Sequence, residues 1–340
     1  MNLKTVKVYG YKLAIYIVSF FLAVTVNFLL PRLMPGSAIS TLLVELEGAQ
    51  GGFAASGTSS LFIQQEVKQL EVAFGLTPQP WPVQYVHYIE GIFTGNLGVS
   101  ILFYPTSVAH VIFSSIGWSL GLVFVSSIIA FFLGSWLGAV GATRRRGKAD
   151  TTLVIAASIL AAVPAFVILM YLEMGLSVNV GIFRISFPTN VGMTPKGVYN
   201  LVDFYTLPVL GLMLSLLSGF VLGMRNNMLH TLKDNYVFYA EALGFRDKTV
   251  RKMVYRNSML PNVTGFALSL GLAISAALTV EGLLSIPGAG YFFGLALTSK
   301  DLPLLQGFFF VIILMLLISI AVVEMVYTAI DPRVRLGGSQ

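Results

Sequence analysis

Six stretches of this chain, 13–33, 116–142, 151–176, 204–224, 263–284 and 304–330, are apolar over about 20 residues or more, the length a helix needs to cross a bilayer. Inside lipid every backbone N–H and C=O must be bonded within the protein. Six such stretches therefore admit a bundle of membrane-crossing helices and little else. The fold class is all-α, a polytopic membrane protein with six transmembrane helices. Composition agrees: 56% of the 340 residues are hydrophobic and 11% charged, against about 25% charged in soluble domains. The first stretch follows Lys4, Lys7 and Lys12, as a signal peptide would. Its apolar run is longer than the roughly 7–15 residues of a signal core, which makes it an uncleaved first span.

Charge placement orients the bundle. With the N-terminus in the cytoplasm, only Arg32, Lys68, Arg184, Lys196 and Lys300 of the 21 Lys and Arg residues fall outside. The rest cluster before the first span, at Arg144, Arg145, Arg146 and Lys148, across 225–256, and at Arg333 and Arg335. This is the positive-inside pattern, and it puts both termini in the cytoplasm of a multi-pass cell-membrane protein. The net charge of +6 is thereby accounted for by topology, and nucleic acid is not expected as a partner.

The chain divides into 1–34, a cytoplasmic N-terminus with the first span; 35–115, an extracellular region; and 116–340, a core of five spans. The core includes a cytoplasmic segment, 225–260. Within the outer region, 48–60 is rich in Gly, Ser and Ala, and 61–74 alternates apolar and polar residues as an amphipathic helix does. The second outer loop, 177–203, carries turn residues without a pattern. Segment 225–260 is rich in helix-forming residues and lacks proline until Pro261, which is expected to end or start a helix at the membrane boundary.

Catalytic and cofactor motifs are missing from the sequence. Gly141 to Ala149 reads G-A-T-R-R-R-G-K-A, one residue too long for a phosphate-binding loop and without the Ser or Thr that holds magnesium. Gly288, Gly290 and Gly294 follow Pro287 rather than a strand, so they form a turn and not a dinucleotide fingerprint. His87, His110 and His230 are far apart, no cysteine is present, and no metal site is expected. No catalytic residue is assigned, and any ATP is handled by a separate protein.

The most informative segment is Tyr239-Ala240-Glu241-Ala242-Leu243-Gly244, followed by a basic run and Leu260-Pro261. From the residues alone it is either a solvated basic loop or a short helix whose small residues allow a close approach. The pattern resembles the "EAA" loop of ATP-binding-cassette (ABC) importer permeases. Further segments are similar to the oligopeptide/dipeptide branch of that family, B-type subunit. They are Phe74-Gly75-Leu76-Thr77-Pro78-Gln79-Pro80 with Val83-Gln84-Tyr85; Gly95-Asn96-Leu97-Gly98-Val99-Ser100, with Asn96 where Asp is usual; and Thr143-Arg144-Arg145-Arg146-Gly147. Glu281 to Gly290 resembles E-x-x-F-S-x-P-G-x-G. Asp301-Leu302-Pro303 with Gln306-Gly307 resembles D-x-P-x-x-Q-G, and 327–335 the closing Y-x-x-x-D-P-R-x-R. The 48–60 stretch departs from the family as an insertion, and Tyr255 stands near where His is often seen.

The resemblance implies a type I ABC importer permease for di- or oligopeptides, with oligosaccharides or a metal chelate as alternative cargo. It also implies a second, C-type permease, two ABC ATPase subunits that bind the ATP and magnesium, and an extracellular substrate-binding protein. It casts Ala240, Glu241, Ala242, Gly244 and Phe245 as the ATPase-docking coupling loop. Arg246, Lys248, Arg251 and Lys252 would pair either with acids on the ATPase or with lipid headgroups. An intramembrane enzyme would need a nucleophile–base pair that the spans lack. A stand-alone transporter would show an internal repeat, and none is evident.

Ionisable residues within spans are functional suspects. Glu173, Glu281 and Glu324 qualify. Glu281, with Pro287 and Gly288, either lines the pathway or gate, or clamps the turn that follows. Gly117 with Gly121, and Gly134 with Gly138, give the spacing of close helix packing, within this chain or against another. Pro164 and Pro208 lie inside spans and are expected to kink them.

Overall fold

A computed structural model of the chain describes residues 3–33, 79–145, 147–185, 187–188 and 194–330. The 48–60 stretch, the amphipathic segment 61–74 and the closing motif from 331 lie outside the described residues, as does the side chain of Glu324. Ten α-helices are described: α1 Leu3–Leu33, α2 Trp81–Thr94, α3 Val108–Thr143, α4 Lys148–Ala162, α5 Ala165–Leu172, α6 Pro195–Thr231, α7 Asn235–Ala242, α8 Asp247–Leu284, α9 Ala289–Thr298 and α10 Leu302–Ile330. A π-helical turn, Glu173–Asn179, extends α5. No strand occurs among the described residues, only an isolated bridge between Val99 and Ser107.

By length and composition α3, α6 and α10 can each cross a membrane alone. The pairs α4–α5, bent by 103°, and the two parts of α8, bent by 51°, bring the number to five. The apolar part of α1, Ala14–Leu30, is at the short end of what spans a bilayer. The bend between α4 and α5 has a local cause. Pro164 lacks an N–H and drives the preceding residue out of the helical region. Val163 accordingly adopts φ −99°, ψ 124°, and Pro164 becomes the N-cap of α5. The kink expected at Pro208 is not a break: α6 runs through it. The boundary expected at Pro261 is also corrected, because α8 continues across it. Asn257 and Pro261 are both exposed, so the carbonyl that the proline leaves without a donor is not sealed in the core.

The chain falls into two compact units, Met1–Gly117 with Pro287–Leu317, and Trp118–Ile286 with Ile318–Gln340.

In the first unit α2 leans on α1. Thr25 Oγ1 and Tyr85 OH are 2.7 Å apart. The buried Asn27 donates from Nδ2 to Tyr88 OH at 2.8 Å and to the carbonyl of Gln306 at 2.9 Å. Phe28 packs edge-on to Tyr85, with ring centroids 5.2 Å apart. α2 ends at Gly95, whose φ of 75° needs no Cβ penalty.

The segment between α2 and α3 closes on the fully buried Asp301. Its Oδ2 accepts from Ser100 Oγ at 2.5 Å and from Leu102 N at 2.9 Å. Its Oδ1 accepts from Leu304 N at 3.1 Å, capping α10. Two of the motifs read from sequence, around Ser100 and Asp301, are therefore one latch.

In the second unit α3 lies against α6 at the Gly134 and Gly138 stripe. A Cβ on Gly134 would sit 2.6 Å from Phe220 Cβ, and one on Gly138 2.9 Å from Met224 Cβ and 3.0 Å from Arg225 N. This pair packs within the chain. Gly117 and Gly121 differ, since a Cβ on either meets nothing within 4 Å. Buried Leu122, Leu169, Phe204, Leu207 and Ala277 form one core cluster, and Ala130, Phe131, Leu217 and Phe220 a second. Asn262 donates to Ser135 Oγ at 2.7 Å, joining α8 to α3.

Candidate functional site

The site lies at the basic end of the second unit, where a short helix interrupts two long ones. α6 ends at Thr231 and α8 begins at Asp247, with α7, Asn235–Ala242, between them. Asp234, at the N-cap of α7, accepts backbone bonds from Val237 at 3.0 Å and Phe238 at 3.5 Å through its carbonyl. The other end is a Schellman turn: Phe245 N donates to Ala240 O at 3.1 Å and Gly244 N to Glu241 O at 2.9 Å. This closure places residue 244 in the left-handed region, and Gly244 has φ 78°. Its Cα faces open space, since a Cβ there meets nothing within 4 Å. Glycine is needed for backbone conformation rather than for close approach to another part of this chain.

One face of α7 is anchored. Val237 and Ala240 are buried in a cluster with Ala142, Met224, Met228, Val250 and Val254, so the ends of α3, α6 and α8 form its seat. Ala240 is therefore turned into its own chain and holds α7 in place.

The other face is open and apolar. Phe238 is 69% exposed, Tyr239 65%, Leu243 77% and Phe245 50%. Glu241, Ala242, Arg246, Lys248, Arg251 and Lys252 are exposed as well. Large apolar side chains therefore stand exposed beside charged ones at this end of the unit.

Sequence reasoning missed the ion pair above this seat. Arg225 Nε donates to Asp150 Oδ1 at 2.6 Å and Nη2 to Oδ2 at 2.9 Å. Asp150 is buried, in the first turn of α4, where the helix dipole favours a carboxylate. The one available signal was an acid placed directly behind the Arg144–Lys148 cluster.

The buried acid read from sequence lies elsewhere in the unit. Glu281 is fully buried on α8, and its Oε2 accepts from Ser119 Oγ of α3 at 2.9 Å. Its carbonyl accepts from Ile286 N at 3.0 Å, closing the helix end just before Pro287. The carboxylate is buried in the core of this chain. Gly288, buried, is the N-cap of α9, and Pro287 is half-buried. Glu173 opens the π-helical turn and is half-buried.

Comparison with known proteins fits this geometry. Residues 130–336 match the family described as "Binding-protein-dependent transport system inner membrane component". A Brucella ovis protein named as a peptide permease is 31% identical over 278 residues, covering 80% of this chain and 85% of that protein. The dipeptide transport system permease protein DppB of Lactococcus lactis is 26% identical over 326 residues, covering 96% of this chain and 98% of its own. The nickel import system permease protein NikB of Staphylococcus aureus is 25% identical over 327 residues, covering 96% and 91%. Such components are the membrane-embedded parts of ABC importers, work with ATPases and a binding protein, and are not themselves catalytic. This chain belongs to the family of binding-protein-dependent transport system inner membrane components.

Proposed function

We propose that this chain is the B-type permease of an ATP-driven importer of di- and oligopeptides, and that α7 is where an ATPase subunit docks. The observation that carries the docking reading is the exposure of Phe238 and Tyr239 on α7, and of Leu243 and Phe245 just past its end, while the opposite face of α7 is anchored. An anchored helix transmits displacement, and an exposed apolar face supplies the adhesion. Arg246, Lys248, Arg251 and Lys252, exposed and directly following these residues in sequence, favour an acidic counterpart. Charge placement supports cytoplasmic termini and a cytoplasmic α7. A C-type permease completes the pathway, and two ATPase subunits hold the ATP and magnesium. An extracellular binding protein delivers the cargo. Closure of the ATPases displaces α7, and the bundle follows from inward- to outward-facing.

The test is co-purification. Phe245→Asp and Gly244→Arg chains inserted normally in the membrane should each lose the ATPase subunits. Capture of ATPases at wild-type yield by both variants would remove the docking role. Peptide cargo is supported by the names of two of the three relatives above, while the third is named for nickel. Titration of the cognate binding protein with peptide, oligosaccharide and nickel panels decides between them. Binding of nickel or sugar but no peptide would overturn the peptide reading.

A further inference from the structure

We infer that Asp150 and Arg225 are positioning residues that make the bent span α4–α5 move with the seat of α7. The inference rests on the docking reading above and adds a route from that seat into the bundle. Arg225 follows Met224 on α6, and Met224 and Met228 are part of the seat under α7. The bidentate pair joins this point of α6 to the first turn of α4. α3 closes on the same spot. A Cβ at Gly141 would lie 3.3 Å from Asp150 Oδ1 and 3.8 Å from Arg225 Cδ, and one at Gly138 3.0 Å from Arg225 N. Three helix ends are thus fastened together immediately behind the docking helix.

The chemistry of the fastening matters. A buried ion pair contributes little net stability compared with a well-packed apolar pair, because both charges must be stripped of water. What it does supply is alignment. Two parallel N–H···O bonds fix both the distance and the angle between the helices that carry them. α4, 15 residues long with Asp150 in its first turn, runs to the break at Val163 and Pro164, where the chain turns by 103°. α4 is therefore tied to α6 by Arg225 at its start and packed on it through the buried Ala157, with the sharp turn at its far end. A push on α7 reaches Met224 and Met228, moves α6, and through Arg225 swings α4 about Pro164.

The experiment uses the assembled importer in proteoliposomes. It compares Asp150→Asn, Arg225→Gln, the charge reversal Asp150→Arg with Arg225→Asp, and the apolar double Asp150→Leu with Arg225→Met. Three quantities are read: ATPase subunits retained, basal ATP hydrolysis, and cargo moved per ATP. The expected result is retained ATPases and hydrolysis, with transport per ATP down about tenfold, partly restored in the charge reversal. Spin labels on α4 and α7 should report an ATP-dependent distance change that the variants lack. The apolar double leaves no buried charge unpaired, so it is the deciding variant if the single changes fail to assemble. Wild-type transport per ATP in that double overturns the inference, and so does its failure to assemble, which would make the pair a stability element only. Loss of ATPase subunits in Phe245→Asp alone bears on docking. Uncoupling with the ATPases still bound bears on the pair.

Discussion

Replacing Gly134 with alanine probes the α3–α6 contact most directly. The added Cβ would lie 2.6 Å from Phe220 Cβ and 3.1 Å from Leu217 O. Carbon–carbon contacts settle near 3.5–4.0 Å, so the helices must part by about 1 Å. The opposing atoms are backbone or Cβ, and no rotamer change can move them aside. Overpacking of this kind costs about 1–3 kcal/mol, while glycine to alanine in a helix returns up to about 1 kcal/mol. The net loss is about 1–2 kcal/mol, read as a fall of several degrees in the thermal unfolding of the purified chain in detergent. Gly138→Ala should behave alike, since its Cβ would lie 2.9 Å from Met224 Cβ and 3.0 Å from Arg225 N. The double variant should lose less than the sum, because one displacement of α3 accommodates both methyls. The control is built in: a Cβ at Gly117 or Gly121 meets nothing within 4 Å, so alanine there should be neutral or slightly stabilising. Equal effects at all four glycines would refute the reasoning, since they would show that helix propensity, not contact, sets the outcome.

Three further outcomes follow from the geometry. Asp301→Ala removes the cap of α10 and the acceptor for Ser100 Oγ and Leu102 N, which should cost about 3 kcal/mol or more in the same unfolding measurement. Asp301→Asn keeps an acceptor and should cost less. Gly244→Ala meets no neighbour but must hold φ near 78°, so it should cost about 1 kcal/mol, speed amide exchange at Phe245, and leave ATPase capture intact where Gly244→Arg abolishes it.

Hydropathy located the spans, because burial in lipid needs nothing but apolar length. It gave their ends poorly. The stretch read as 204–224 is the middle of Pro195–Thr231, and the one read as 116–142 lies inside Val108–Thr143. A helix continues into its charged, wetted turns by hydrogen bonding alone, where hydropathy carries no signal. α2 went unread although Pro80 precedes it and Gly95 ends it; at 14 residues it is too short to stand out. Pro261 misled in the opposite sense, since a missing donor ends a helix only where the freed carbonyl has no relief. The Asp150–Arg225 pair joins residues 75 apart in sequence, and nothing local tells a charge which partner it will meet.

The motifs that carried the family resemblance divide into two physical kinds. Ser100 and Asp301 are held by hydrogen bonds inside the first unit, and Glu281 is buried in the second. Buried polar groups need partners, so these positions serve the architecture of the chain. The segment proposed for docking has the reverse logic. Ala240 and Val237 fasten it, while Phe238, Tyr239, Leu243 and Phe245 stay uncovered in this chain. In the docking reading proposed above, an ATPase surface covers these four side chains, two on α7 and two just past its end. The functional reading therefore depends on what this chain leaves exposed, and substitutions at those four positions should impair assembly while leaving the stability of the isolated chain within about 0.5 kcal/mol.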